Sequence, residues 1–156
     1  MEIDHKAPVI AQAAQRIKAP IDTLWQVLTD VEAWPNWHHD IADVSIEGPL
    51  KPGTLFVWRS GGFKIRSTFQ EVVPPTSIAW IGKTTGTRAC HVWRFEMDGD
   101  STRVITAESL SGWVPRLFRK RMQDSLQSTL ESWVHVLRLK CEGMQIESDL
   151  PASTYS

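Results

Sequence analysis

The sequence predicts an α+β fold in which one face of an antiparallel sheet is covered by a long C-terminal helix. Two observations carry that reading. In residues 114–142, Phe118, Met122, Leu126, Leu130, Trp133, Val134, Leu137 and Cys141 recur every three or four positions, the stripe of an amphipathic helix roughly 40 Å long. From 41 to 110 the apolar pattern instead alternates with period two and is cut by closely spaced turn signals. Connections that short allow only antiparallel neighbours, because parallel strands need long crossovers.

Residues 9–18 place Val9, Ala11, Ala13 and Ile17 on one face of a first strand, which Ala19-Pro20 ends. Ile21, Leu24, Trp25 and Leu28 then follow helical spacing, and a further helical turn carries Trp34 and Trp37 around Pro35. Six strands are predicted next, at 41–47, 54–60, 62–73, 76–83, 87–97 and 102–110. They are separated by Gly48-Pro49 through Gly53, Gly61-Gly62, Pro74-Pro75, Thr85-Gly86 and Asp98-Gly99-Asp100. The total is seven strands, two short helices after the first, and the long helix. Pro115 suits its first turn, and Gly143 suits a C-cap. Residues 1–143 are read as one domain and 144–156 as a flexible polar tail.

Alternation sorts the side chains. Phe63, Ile65, Ser67 and Phe69 share a face, as do His91, Trp93, Phe95 and Met97, and Val104, Thr106, Glu108 and Leu110. That face is aromatic and meets the helix; the other is basic and solvated. If 98–101 form a four-residue turn, Met97 faces Thr102 and every pair sums to 199. His91 then lies opposite Glu108, Trp93 opposite Thr106, and Phe95 opposite Val104. An imidazole and a carboxylate inside an aromatic face could transfer protons or hydrogen-bond a ligand. They could equally be a satisfied cross-strand pair, or bond a Trp N–H.

Composition excludes several classes. The net charge of −1 leaves no electrostatic footprint for nucleic acid, and no apolar run is long enough for membrane insertion. No P-loop, dinucleotide fingerprint or nucleophile elbow is present, so no cofactor is expected. Cys90 and Cys141 have no metal-ligand spacing, and with no signal-like N-terminus a reduced, cytoplasmic protein is expected. His38-His39-Asp40 reads as a solvated loop rather than a metal site, with His38 bordering a cavity mouth as a further option. Arg116, Arg119, Lys120 and Arg121 crowd the positive end of the long helix. They suit an exposed face, or an acidic ligand, partner or membrane surface. Eight Trp against one Tyr suit either a core or a binding site.

Three stretches, APIDTLWQVLTDVEAWPNW, FKIRSTFQEVVPPTSIAWIG and HVWRFEMDGDSTRVITAESLSGW, resemble the polyketide cyclase/dehydrase branch of the START-like, birch-pollen-allergen-like (SRPBCC) superfamily. The resemblance spans about residues 9–142. It implies a helix-grip fold, a curved seven-stranded sheet wrapped around the C-terminal helix with a ligand cavity between them. It places His91, Trp93 and Glu108 in a recurrent HVW…ES pattern, and Trp34 and Trp37 beside the cavity entrance.

Together these readings lead to a protein, monomer or homodimer, that binds a small hydrophobic molecule of aromatic, polyketide or lipid type. Its walls are expected to be Phe56, Trp58, Phe69, Trp80, Trp93 and Phe95 from the sheet, with Met122, Leu126 and Trp133 from the helix. His91, Thr106 and Glu108 supply polar groups. The alternative is a cyclase/dehydratase using His91 and Glu108 as an acid–base pair. A third possibility, an interaction module whose aromatic face is filled by its own side chains, predicts a cavity below about 300 Å³.

Overall fold

A computed structural model describes residues 1–150. Seven strands form one antiparallel sheet: β1 (Val9–Ile17), β2 (Ile41–Ile46), β3 (Leu55–Ser60), β4 (Phe63–Val73), β5 (Ser77–Thr84), β6 (Thr87–Asp98) and β7 (Ser101–Ser111). Their order across the sheet is β1-β7-β6-β5-β4-β3-β2, so each of β2 to β7 pairs with its sequence neighbour and β1 closes the far side on β7. Between β1 and β2 lie α1 (Ile21–Thr29) and a 3-10 segment, Val31–Asn36. The helix-grip architecture is therefore the one observed.

The hairpin register follows from one turn. Gly99, at φ +61°, takes the left-handed conformation that a tight connection requires. Asp98 pairs with Ser101 and Met97 with Thr102, and the ladder runs on to His91 opposite Glu108. One face of the sheet then reads as successive rows. Phe56, Ser67, Gly82, Ala89, Leu110 and Val9 line up across six strands. Two residues along, Phe69, Trp80, His91, Glu108 and Ala11 line up; beyond them come Ile78, Trp93, Thr106 and Ala13.

The C-terminal helix differs from expectation at both ends. The chain breaks at Phe118 (φ −112°, ψ 38°) into α2 (Trp113–Leu117) and α3 (Arg119–Asp149). Pro115 is buried and lies in α2, not in the first turn of the long helix. Gly143 is not a cap, since α3 continues through it for six more residues. Glu142 accepts a hydrogen bond from the Lys18 backbone N–H (3.0 Å) there, and Gln145 donates to Asp149 one turn on. Residues 144–149, expected in a flexible tail, are thus helical, and 151–156 lie outside the described residues. No helix among the described residues is long and apolar enough to cross a membrane.

Helix and sheet are also joined by hydrogen bonds. β1 is an edge strand, with backbone groups facing outward that need partners. Gln123 of α3 supplies them, accepting from the Ile10 N–H (3.1 Å) and donating to the Ile10 carbonyl, while Gln127 donates to the Gln12 carbonyl (2.9 Å). The other edge, β2, is broken by a bulge between Ala42 and Ser45. Asp43 sits there at φ +53° and pairs with Arg59. The outer face of the sheet is not solvated throughout. Ala79, Cys90 and Val92 are buried on it beneath Met1 and Ile3, and the Asp4 N–H donates to Ser109.

Candidate functional site

A cavity of about 470 Å³ lies between the sheet and α3. It exceeds the 300 Å³ below which a self-filled face would have been the better description. The sequence of rows explains why a space exists at this place. Ser67, Gly82 and Ala89 are neighbours in one row, so three adjacent strands present almost no side chain toward the helix. Gly82 cannot easily be larger, because a Cβ there would stand 3.0 Å from both Ile65 and Ser67. From the helix, Met122, Ser125, Leu126, Thr129 and Trp133 face the cavity at three- and four-residue spacing. Trp58, Ile65 and Leu110 add apolar wall, and the β3–β4 and β5–β6 turns and Val114 form the rim.

The expected wall residues divide into two groups. Trp58, Met122, Leu126 and Trp133 line the cavity, with His91 and Glu108. Trp34, Phe56, Phe69, Trp80, Trp93 and Phe95 do not; all six are fully buried and pack on one another or on α1. Trp34 meets Phe56, Trp58, Trp80 and Trp133 at ring-centroid distances of 5.1 to 5.9 Å, and Phe95 meets Trp25 edge-on at 6.4 Å. Their surface is used up by neighbouring rings, leaving none for a ligand. Trp133 is the partition between this packed cluster and the open cavity, touching Trp34 and Trp93 on one side. Trp37 stands elsewhere, half-buried in a separate groove with Lys140 and Met144. His38 is buried, not solvated, and lies against Trp133 with ring centroids 4.5 Å apart. Burial pulls its imidazole below the ordinary range.

His91 and Glu108 carry the polar chemistry of the cavity. His91 Nε2 is 2.8 Å from Thr106 Oγ1, and that hydroxyl lies 3.2 Å from the Val92 carbonyl, to which it donates. A hydroxyl has one proton, so Thr106 accepts from His91, which fixes the tautomer protonated on Nε2. Thr106 therefore works from behind the imidazole and does not line the cavity. Nδ1 is left as an acceptor facing Glu108 Oε2 at 3.7 Å. Burial pushes the Glu108 carboxyl up to about 8 and holds the His91 imidazole down at about 3. The pair is accordingly neutral on both sides at pH 7, a protonated carboxyl beside an unprotonated ring nitrogen 3.7 Å away. The Trp93 indole N–H is no partner for this pair, since its buried Nε1 has no hydrogen bond among the described residues.

Sequence patterning did not single out Gly82, Ala89, Leu110, Ser125, Thr129 or the rim residues Gly61, Thr85 and Val114. Their signal is smallness at in-phase positions, Gly82 and Ala89 on facing strands, which becomes visible only once the register is known.

The sequence model of the family described as polyketide cyclase / dehydrase and lipid transport matches residues 8–138. The chain belongs to that family. No curated protein sequence matches it. Among solved structures, a hypothetical protein of Helicobacter pylori is 19% identical with a TM-score of 0.79, over 89% of this chain and 91% of that one. A START superfamily protein of Mycobacterium smegmatis is 14% identical (TM-score 0.74), over 86% and 98% of the two chains. An aromatase/cyclase from Streptomyces is 14% identical (TM-score 0.75), over 85% and 93%. At such identities the likeness establishes a shared fold and leaves the chemistry to the residues of this cavity.

Proposed function

We propose that the chain binds a small, largely apolar molecule of aromatic, polyketide or lipid type between the sheet and α3. The observation that carries this reading is the cavity itself: about 470 Å³, walled by Trp58, Ile65, Leu110, Met122, Leu126 and Trp133, with the Glu108 carboxyl and the His91 imidazole beside the Ser125 and Thr129 hydroxyls of α3, and further polar residues, Lys83 among them, at the mouth. Size, apolar walls and few polar groups are the general properties of small-molecule sites. The test is a titration of tryptophan fluorescence with aromatic polyketides, sterols and fatty acids. Saturable binding of one class supports the proposal, and saturation by none of them overturns it.

A second reading, acid–base catalysis of dehydration during cyclisation, is favoured by the pairing of a protonated Glu108 with a tautomer-fixed His91. Glu108 gives its proton to a departing hydroxyl. The carboxylate left behind takes a proton from the adjacent carbon, so a C–O bond breaks, a C=C bond forms, water leaves and the acid is restored. His91 Nδ1 positions the carboxyl. In this reading Glu108→Gln eliminates turnover while ligand binding persists, and the rate falls as pH rises through about 8, where the acid form is lost. Undiminished turnover in Glu108→Gln would discard the mechanism.

A further inference from the structure

The rim of the cavity combines large apolar side chains that the fold leaves half or more exposed with a run of exposed cations. Trp113, Leu117 and Phe118 stand on and just after α2 with 63%, 66% and 50% of their surface exposed, and Phe63, at the start of β4, is 67% exposed. They are four of the exposed large apolar residues among those described, which also include Met97 on β6 and Leu139, Ile146 and Leu150 toward the end of α3. All sit on segments that also line the cavity, through Gly61, Phe63 and Val114. Interleaved with them are Arg116, Arg119, Lys120 and Arg121, all exposed, and none forms an ion pair with a described residue. Three of these cations occupy the first turn of α3, where the helix dipole opposes them. Lys64 and Lys83 add charge on the neighbouring strands. The nearest exposed carboxylate in sequence is Asp124.

The presentation is built in. Gly86 (φ +62°) and Gly112 (φ +118°) touch directly; a Cβ on Gly112 would overlap the Gly86 carbonyl oxygen, and one on Gly86 would strike the Trp113 indole. The Val114 N–H donates to the Gly86 carbonyl (3.3 Å). The β5–β6 turn therefore holds α2 with Val114 and Pro115 inward and Trp113 and Leu117 outward. Large apolar side chains at the tips of two separate segments, ringed by arginine and lysine, match the two layers of a bilayer surface, anionic headgroups over an apolar interior. Trp113, Leu117 and Phe118 are exposed and line neither the cavity nor the groove at Trp37, and their exposed side chains beside a dense run of cations suit a bilayer surface.

We propose that this rim docks peripherally on an anionic lipid bilayer, Trp113, Leu117, Phe118 and Phe63 entering the headgroup boundary and Arg116, Arg119, Lys120 and Arg121 meeting lipid phosphates, with the cavity mouth turned toward the membrane. The inference does not depend on the identity of the cavity ligand. The experiment is co-sedimentation of the full chain, without added ligand, with phosphatidylcholine vesicles and with vesicles of equal parts phosphatidylcholine and phosphatidylglycerol. Binding is expected to the second only and to weaken with added NaCl. The triple variant Arg119→Glu, Lys120→Glu, Arg121→Glu is expected to bind about a hundredfold more weakly, and Trp113→Ala with Phe118→Ala at least about tenfold. Lys140→Glu, at the far end of α3, is expected to bind as the parent does. All these positions are exposed, so unfolding midpoints report that each variant is folded. Equal binding to both vesicle types, or binding undiminished in the two rim variants, overturns the proposal. So does a dimer that Trp113→Ala dissociates, which would assign the patch to a second copy. Loss with the charge variant but not with Trp113→Ala and Phe118→Ala would show that charge alone holds the bilayer, and would overturn the entry of Trp113 and Phe118 into the headgroup boundary.

Discussion

Two halves of the same sheet face differ more from each other than either differs from an ordinary core. In one, Trp34, Phe56, Phe69 and Trp80 interlock with ring centroids 4.5 to 6.1 Å apart, and Trp93 packs on Trp133 at 5.6 Å, all of them buried. In the other, Ser67, Gly82 and Ala89, which continue the row of Phe56 and lie one row from Phe69 and Trp80, leave a cavity of about 470 Å³. Strand pairing and the covering helix are common to both. What differs is side-chain volume at in-phase positions, so a change of a few residues in one row separates a packed core from an open cavity. The division implies that stability rests mainly on the first half and the proposed binding on the second.

Four substitutions test that division, in decreasing order of their expected effect on stability. Trp34→Ala strikes the packed half, removing a buried ring with four aromatic neighbours and a hydrogen bond from its Nε1 to the Leu28 carbonyl (2.9 Å). A loss of about 3–5 kcal/mol is expected in urea unfolding. A loss below about 1 kcal/mol would show that the cluster is not where stability resides.

Glu108 tests the hollow half through pH. Its carboxyl is held at about 8 when folded against an ordinary 4.5. Between those values the folded chain retains a proton that the unfolded chain has released, so stability falls as pH rises through this window. His91, held at about 3, acts oppositely below 6.5, where the unfolded imidazole takes up a proton and the folded one does not. From pH 6.5 to 8 the Glu108 slope is the one left from this pair. The parent is expected to lose about 2 kcal/mol over that interval relative to Glu108→Gln, the uncharged isostere. Parallel stability curves for the two proteins would contradict a protonated Glu108.

Thr106→Val keeps the shape but leaves the His91 Nε2–H unpaired in a buried site, for an expected loss of about 1–3 kcal/mol. Imidazole nitrogen chemical shifts should show mixed tautomers in place of one. The smallest stability effect belongs to Ala89→Phe, which places a ring in existing space and should change stability by less than about 1.5 kcal/mol. It should nonetheless abolish saturable ligand binding. Retained affinity would move the binding site elsewhere.

Much of this arrangement is legible in the sequence. A four-residue turn at 98–101 is the condition under which His91 faces Glu108, and the structure has that turn; period-two alternation places Trp93 and Phe95 on one face with them. Alternation identifies a face but not a position along it. It could not separate Trp58, which lines the cavity, from Phe56, two residues earlier on the same face and wholly packed. That distinction depends on which strands lie opposite and how large their residues are. The break at Phe118 was equally hidden, because the apolar stripe continues through it. It accompanies the docking of α2 on Gly86 through the Val114 N–H, a contact 28 residues away in sequence. Gly143 misled for the converse reason: a glycine costs a helix interior only about 1 kcal/mol, and the backbone bonds on either side of it outweigh that.

The glutamine fork on β1 limits how anything can enter. Because Gln123 and Gln127 complete the hydrogen bonding of an edge strand, lifting α3 off the sheet would expose that strand's amides and carbonyls along with the apolar wall. The helix is therefore a fixed wall along β1, and in the proposed function the ligand enters on the opposite side, past the β3–β4 and β5–β6 turns and α2. Replacing two side-chain amides by leucine would turn a passive wall into a second door, and leave an unguarded strand edge beside it.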